Sequence, residues 1–296
     1  MKYDIYHKTE FHYQGEVTFS HNIARLKPFD GCCQKLLDFR LESDPEAAEM
    51  HSFVDIYGNT NHHLLVRESH NTLALTGRST VVLDPEAIET RNATMCAAAI
   101  TCDAARKRLK GFEAEDIAAK RFLFDSELIP RASSGILAYV QESFHPKRPL
   151  FEAGEELMRR IFTDFEFMPG FSDISTPVRE IFAEKKGVCQ DFAHFAIAAV
   201  RAAGFPARYV SGYIETVPPK GKEKLFGADA SHAWFSLYIP GVGWADFDPT
   251  NDMIPSTQHI LLGYGRDYAD ISPLKGVVRS SGSSDLEVMV DVRRKD

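Results

Sequence analysis

The sequence predicts an α+β fold, in which a β-sandwich-like N-terminal domain precedes a second domain of helices packed on another antiparallel sheet. Strand-length segments separated by turn residues fill residues 3–83, and helix-forming residues dominate the next hundred. A helical segment near residue 190 then leads into further strand patterns. We therefore predict an N-terminal antiparallel β domain over residues 1–90 and a second domain over 91–296. The second domain is helical over 91–186 and contains one helix and a sheet over 187–296.

Five segments of the N-terminal part have the length and composition of strands: KYDIYHKTEFHY, KLLDFRLES, HSFVDIYG, HHLLVRES and LALTGRSTVVL. Turn-rich pieces such as DGCC, GNTN and SHN separate them, which is typical of an antiparallel sandwich. The segment YGNTNHH predicts a hairpin, because Gly58 and Asn59 tolerate the positive φ of tight turns.

The character of the sequence changes after Asp84-Pro85, where ATMCAAAITCDAARKRLKG is rich in Ala, Lys and Arg and predicts a helix. Two further helices are predicted by apolar residues at helical spacing. In SSGILAYVQESF these residues are Ile136, Tyr139 and Val140, and in FEAGEELMRRIFTDF they are Leu157, Ile161 and Phe162. A last strand, LEVMVDVRR, follows the connector SSGSS near residue 281.

Composition and charge exclude several classes of function. The chain has 296 residues, is 44% hydrophobic and 26% charged, and carries a net charge of -8, with no cluster of Lys and Arg. This argues against a nucleic-acid binder or a protein that binds anionic membranes. The N-terminal segment lacks the apolar core of a signal peptide, and no segment is long and apolar enough to span a bilayer, so we expect a cytoplasmic protein. Five cysteines without a CxxC pair predict free thiols and no metal or other cofactor.

The segment KKGVCQDFAHFAIAAVRAAG predicts a helix over about residues 189–203 that begins at a cysteine. Apolar residues recur along one helical face, and Gly204 followed by Pro206 is a usual helix stop. Cys189 therefore lies in the first turn, where unpaired amides and the helix dipole stabilise a thiolate, the nucleophilic form. From this helix alone, Cys189 is equally well interpreted as a small buried hydrophobic residue.

A nucleophilic cysteine requires a base and a group that orients the base, and the strands after the helix supply both. His232 opens the strand SHAWFSLYIP, and a tight turn at PGVG leads to the strand GVGWADFDPTND. Residues near 248 then lie opposite residues near 232, so that Asp248 can orient His232.

Two other residues compete for these roles. His194 lies five residues along the helix from Cys189, about 140° around its axis, so we expect a buried structural histidine rather than the base. Asp246 shares a strand face with Asp248, and geometry alone leaves both as candidates for the orienting acid. The two tryptophans, Trp234 and Trp244, are interpreted as core residues, with the alternative that one walls the cleft.

At this point the sequence resembles the bacterial transglutaminase-like proteins, within the wider papain-like Cys-His-Asp group. The matching motifs are TPVREIFAEKKGVCQDFAHFAIAAVRAAGFPARYVSGYIE, SHAWFSLYIPGVGWADFDPTND and HILLGYGRDYADISPLKG. In the N-terminal part FHYQGEV, NIARLKP and DIYGN resemble the β-rich region that precedes the core in this family. The resemblance implies a papain/transglutaminase-like core, with Cys189 as nucleophile, His232 as base and Asp248 as orienting acid.

The resemblance leaves the acceptor of the acyl group open. Our first expectation is hydrolysis of a peptide, isopeptide or other amide bond by a cysteine peptidase or amidohydrolase acting on a peptide or protein substrate. A transglutaminase-type amine acyl transferase and a non-catalytic binding module that retains the fold are the alternatives. Gln190 is a candidate second oxyanion donor or a residue that caps the helix, and the loop 217–230 is interpreted as a solvated loop or a mobile rim of the site.

Overall fold

The computed structural model describes residues 1–31, 33–216, 226–227, 229–279 and 282–295, and confirms the α+β fold. The strands of the N-terminal part follow directly from the alternating patterns. They are β1 (Lys2–Val17), β2 (Phe19–Ala24), β3 (Gln34–Asp44), β4 (Glu49–Val54), β5 (Thr60–Val66) and β6 (His70–Leu83).

Two strands from the other end of the chain complete the sheets of the N-terminal part. They are β13 (Leu274–Arg279) and β14 (Ser284–Lys295), which give the strand orders β14-β1-β6-β3 and β13-β2-β5-β4. Lys2 lies opposite Lys295 in the antiparallel pair of β1 and β14. The predicted division of the chain at residue 90 assigned these two strands to the second domain, whereas the structure joins them to the first. We call β1 to β6 with β13 and β14 the N-terminal β region.

The predicted hairpin is present between β4 and β5. Gly58 has a φ of +88° in the connecting turn, and the carboxylate of Asp55 accepts hydrogen bonds from the backbone N–H groups of Tyr57 and Asn59. Only Gly58 of the two predicted residues has positive φ. Asn59 instead directs its side chain toward another part of the fold, as described below.

The helical part contains α1 (Pro85–Cys96), α2 (Cys102–Arg108), α3 (Ala114–Lys120), α4 (Ser134–Ser143), α5 (Leu150–Asp164) and α6 (Val178–Glu184). The helix predicted over ATMCAAAITCDAARKRLKG is two helices, because Thr101 caps a new helix with its side chain. The start of α1 agrees with the change in composition after Asp84-Pro85, and the side chain of Asp84 caps this helix. Phe162, one of the apolar residues whose spacing predicts α5, is 49% exposed.

The remaining elements form the central sheet and the helix that packs on it. They are β7 (Glu166–Phe167), β8 (Lys186–Gly187), α7 (Cys189–Ala202), β9 (Ala207–Ile214), β10 (Ser231–Ile239), β11 (Gly243–Phe247), β12 (His259–Gly265) and α8 (Tyr268–Ile271). Strands β11-β10-β9-β12, in that order, make the antiparallel central sheet. Helix α7 ends at the predicted position, where Gly204 has a φ of +88°.

The central sheet is covered on both sides. Helix α7 and side chains such as Phe235 and Leu237 share the large core with the other helices. Tyr213 and Ile260 share a second core with residues of the N-terminal β region and α1. The sheet is therefore held between the helices and the N-terminal β region.

Two side-chain amides of the N-terminal β region form hydrogen bonds with the backbone of the outer strand β12. Gln34 donates to the carbonyl of Leu261 at 2.8 Å and accepts from its N–H at 2.8 Å. Asn59 donates to the carbonyl of Tyr264 at 2.7 Å and accepts from its N–H at 2.8 Å. Each amide therefore replaces the pair of hydrogen bonds that a neighbouring strand would make. We call these two contacts the amide clamp.

Within the residues that the structure describes, a search for helices with the length and apolar character needed to cross a membrane finds none.

Candidate active site

Cys189 is the first residue of α7 and lies half-buried at the end of the helix that faces the central sheet. The first turn is held by Asp191, whose carboxylate accepts from the N–H of Val188 at 2.8 Å and from the hydroxyl of Ser172 at 2.5 Å. Gly187 is needed beside this cap, because a Cβ there would lie 2.7 Å from the Cβ of Asp191. The start of the helix, and with it the sulfur, is therefore fixed by local contacts.

His232 and Asp248 lie next to each other, as the sequence predicts. The register of β10 and β11 pairs Phe235 with Phe247, which brings the end of β11 beside the start of β10. His232 Nε2 is 2.7 Å from Asp248 Oδ2, and the side chains are 6% and 0% exposed. Cys189 is the second partner of the ring, since its side chain interacts with the imidazole and helps to raise its pKa. Since Nε2 contacts the carboxylate, Nδ1 is the ring atom left for the sulfur.

The protonation of His232 reflects these two partners. Burial on its own would lower the pKa of the imidazole, but the hydrogen bonds and charges of Asp248 and Cys189 outweigh it and raise the pKa to about 10. The ring is therefore an imidazolium at neutral pH.

Asp248 accepts hydrogen bonds from several directions. Asn251 Nδ2 lies 2.7 Å and His259 Nε2 3.0 Å from Oδ2, while the N–H of Thr250 donates to Oδ1 at 3.0 Å. Burial would raise the pKa of this carboxyl, but the bonds from His232, His259 and Asn251 hold it well below its usual range. Asp248 is therefore a fixed negative charge behind the imidazolium.

The competing residues lie elsewhere. Asp246 accepts from the hydroxyl of Ser236 and faces Arg91, whose Nη1 is 3.4 Å from Oδ2. His194 Nε2 accepts from the N–H of Tyr268 at 3.1 Å, and burial lowers its pKa to about 4 despite the opposing charge of Asp267. The structure therefore agrees with the interpretation of His194 as a buried structural histidine.

The two tryptophans differ in their surroundings. Trp234 is 2% exposed and packs against the rings of His232 and His259, with centroid distances of 5.9 Å and 5.2 Å. Trp244 packs against Phe122, Tyr238 and the guanidinium of Arg208. Trp234 is thus the tryptophan that walls the site. Of the predicted loop 217–230, residues 217–225 and 228 lie outside the described residues, and Gln190 is half-buried.

Sequence reasoning missed His259. It opens β12 inside the quoted motif HILLGYGRDYADISPLKG, and no role was assigned to it. The signal available was the parallel with His232, because each histidine opens a strand that pairs with β9 near Gly212. Both strands therefore begin at the same end of the central sheet.

His232, Asp248 and His259 are also, among the described residues, a group whose metal-ligating atoms lie within 4.8 Å of one another. The Nε2 atoms of both histidines are hydrogen-bonded to the same carboxylate oxygen. A metal ion held there would have to replace both of these hydrogen bonds.

Comparisons with known proteins agree with this architecture. Residues 3–82 match the family described as the bacterial transglutaminase-like N-terminal region, and residues 138–249 match the transglutaminase-like superfamily. An uncharacterized protein of Mycobacterium tuberculosis is 39% identical over 297 residues, which cover 98% of this chain and 92% of that protein.

Two further comparisons are more distant. A protein-glutamine gamma-glutamyltransferase of Pseudomonas aeruginosa is 33% identical over 103 residues, which cover 32% of this chain and 15% of that protein. A solved structure from Cytophaga hutchinsonii, named a "putative cysteine protease", has a TM-score of 0.75 at 22% identity and covers 100% of this chain and 92% of that one. This last match shows the shared fold.

Proposed function

Because the chain belongs to the bacterial transglutaminase-like proteins, a family of cysteine-dependent enzymes, we propose that it transfers acyl groups through Cys189, His232 and Asp248. The observation that carries this proposal is a line of three side chains, in which the His232 imidazole interacts with Cys189 and lies 2.7 Å from the carboxylate of Asp248. This line starts at a helix N-terminus, where a thiolate is stabilised.

The reaction begins when the Cys189 thiolate attacks an amide carbonyl carbon and its electron pair forms the new C–S bond. The negative charge that develops on the carbonyl oxygen is received by the backbone N–H of Cys189, which has no intrahelical acceptor at the first position of α7. The imidazolium of His232 gives its proton to the nitrogen as the C–N bond breaks, which releases the amine and leaves an acyl-thioester.

Water completes the cycle in the reaction we propose. Neutral His232 takes a proton from water, and the resulting hydroxide adds to the thioester carbonyl. The C–S bond breaks, a carboxylic acid leaves, and the thiolate–imidazolium pair is restored. Asp248 stays ionised throughout and holds the ring in one orientation. The overall reaction is therefore hydrolysis of an amide or isopeptide bond.

Transfer to an amine is the second candidate, favoured by the similarity of 103 residues to a protein-glutamine gamma-glutamyltransferase. In that reaction an amine such as a lysine side chain replaces water, and neutral His232 accepts its proton. Both reactions share the same thioester, so the chain's own residues act identically until the acceptor arrives.

A panel of peptide amides, incubated with the protein with and without a lysine analogue, tests the proposal by mass spectrometry. Hydrolysis predicts carboxylate products in both incubations and an acyl adduct on Cys189 in intact-protein spectra. Cys189→Ala should form neither. Products that contain the amine would favour the transferase, and a protein that forms no Cys189 adduct with any amide would support a non-catalytic module.

A further inference from the structure

We infer that His259 is a positioning residue that holds Asp248 in place, and that the N-terminal β region keeps His259 there. Its importance for catalysis rests on the proposed function. The central observation is that the two imidazoles reach the same carboxylate oxygen, since His232 Nε2 lies 2.7 Å and His259 Nε2 3.0 Å from Asp248 Oδ2.

The orientation of the His259 ring is set by its own loop. The N–H of Ser256 lies 3.4 Å from Nδ1, and the N–H of His259 donates to the carbonyl of Ser256 at 3.0 Å. Because Nδ1 accepts a hydrogen bond from the backbone, the hydrogen of the neutral ring lies on Nε2 and points at Asp248. The His259 side chain is 2% exposed, and the ring of Trp234 packs edge-on against it.

This arrangement gives His259 a role different from that of His232. With Asn251 and the N–H of Thr250, it surrounds the carboxylate of Asp248 with donors, so the carboxylate cannot rotate away from His232. Such contacts also favour the charged form of the acid. His259 acts on the reaction only through Asp248, since His232 is the ring that meets the sulfur.

The segment before His259 is anchored by residues from outside the central sheet. The hydroxyl of Tyr3 donates to the carbonyl of Thr257 at 2.9 Å, and Asn92 Nδ2 donates to the carbonyl of Pro255 at 3.0 Å. The amide clamp holds the strand that follows, through Gln34 and Asn59. The N-terminal β region and α1 thus fix both sides of His259.

The charged and titratable groups near His259 come from several elements. Asp248 and His232 lie on one side. A cavity of about 90 Å³ is lined by His259 together with Arg91, Cys33 and Asp246. The pH profile of Cys189 alkylation in a His259 variant must therefore be compared with that of a second variant which keeps the donor to Asp248.

The test uses alkylation of Cys189 by iodoacetamide, read by peptide mass spectrometry from pH 5 to 10, so that no substrate needs to be known. In His259→Phe the ring volume stays and the donor is lost, and we expect the rate at pH 7 to fall about three- to tenfold, the value of one hydrogen bond. His259→Gln keeps an N–H donor and should recover most of the rate.

A matched control separates positioning from general destabilisation. His7 is also buried, and its Nδ1 hydrogen-bonds the hydroxyl of Tyr213 at 2.9 Å rather than Asp248. His7→Phe should lower the stability to urea but leave the alkylation profile of Cys189 unchanged.

Three results would overturn the inference. If His259→Phe alkylates like the wild type while Asp248→Asn does not, His259 is a packing residue and the proposed function survives. If the wild type and Asp248→Asn both react like an ordinary thiol at every pH, the proposed function itself fails. If the purified protein holds one zinc ion per chain that His259→Phe loses, His259 is a metal ligand.

Discussion

Replacement of Asp248 by asparagine should slow the reaction of Cys189 near neutral pH and leave it unchanged at alkaline pH. The substitution keeps the shape of the side chain but removes the charge that faces His232 at 2.7 Å. A hydrogen bond to a charged group contributes about 1.5–3 kcal/mol. This corresponds to a roughly 10- to 100-fold smaller equilibrium constant between the thiolate–imidazolium pair and the neutral pair.

The sign of the pH dependence follows from His232. Its pKa is raised to about 10, so the imidazolium is present at neutral pH and is lost as the pH rises through that value. Without the charge of Asp248 the imidazolium is lost at a lower pH. At pH values where cysteine ionises unaided, the two proteins should react at equal rates.

The assay is iodoacetamide alkylation of Cys189 at pH 7 and pH 10, with the exposed Cys96 of the same chain as an internal reference for the reagent. Asp246→Asn is the matched control, because Asp246 lies on the same strand face but contacts Ser236 and Arg91. A larger loss in Asp246→Asn than in Asp248→Asn, or an Asp248→Asn rate equal to that of the wild type at pH 7, would refute the reasoning.

Three further predictions concern stability. The pKa of His194 is lowered by burial to about 4 from its ordinary 6.5, so the unfolded state binds the proton first and stability decreases as the pH falls through this window. In urea unfolding, the difference in stability between pH 6.5 and pH 5 should be about 1.6 kcal/mol smaller in His194→Gln than in the wild type. Gly212→Ala should lower the melting temperature by at least about 5 °C in calorimetry, because its Cβ would lie 2.2 Å from the carbonyl oxygen of Ile260 and more than about 3 kcal/mol is lost. Gln34→Leu leaves the N–H of Leu261 without its acceptor, while the carbonyl of Leu261 keeps the N–H of Phe29 as a donor. The substitution should cost about 1–3 kcal/mol in urea unfolding, with a smaller loss in Gln34→Glu, which keeps an acceptor.

Local patterns were sufficient to predict most strands and the start of α7 at Cys189. Alternation gives the strands of the N-terminal β region, and the helical spacing with Gly204 gives the end of α7. The proximity of His232 and Asp248 also follows from local information, because a tight turn fixes the register of two consecutive strands.

Contacts between distant segments could not be predicted in this way. Nothing in the LEVMVDVRR pattern states that it pairs with β1, since alternation fixes which face is buried but not which strand is the neighbour. Phe162 fits the helical rhythm of α5, yet it falls at the margin of the buried face and is exposed. The contact of His259 with Asp248 depends on the pairing of β12 with β9, which the sequence does not reveal.

The amide clamp has a consequence for how the central sheet meets other polypeptides. An outer strand normally offers free backbone groups to which an extended peptide or a second molecule can attach. On β12 the side chains of Gln34 and Asn59 already occupy those groups at Leu261 and Tyr264. This border is therefore protected against strand-by-strand growth into aggregates, and an incoming peptide cannot dock there by strand addition.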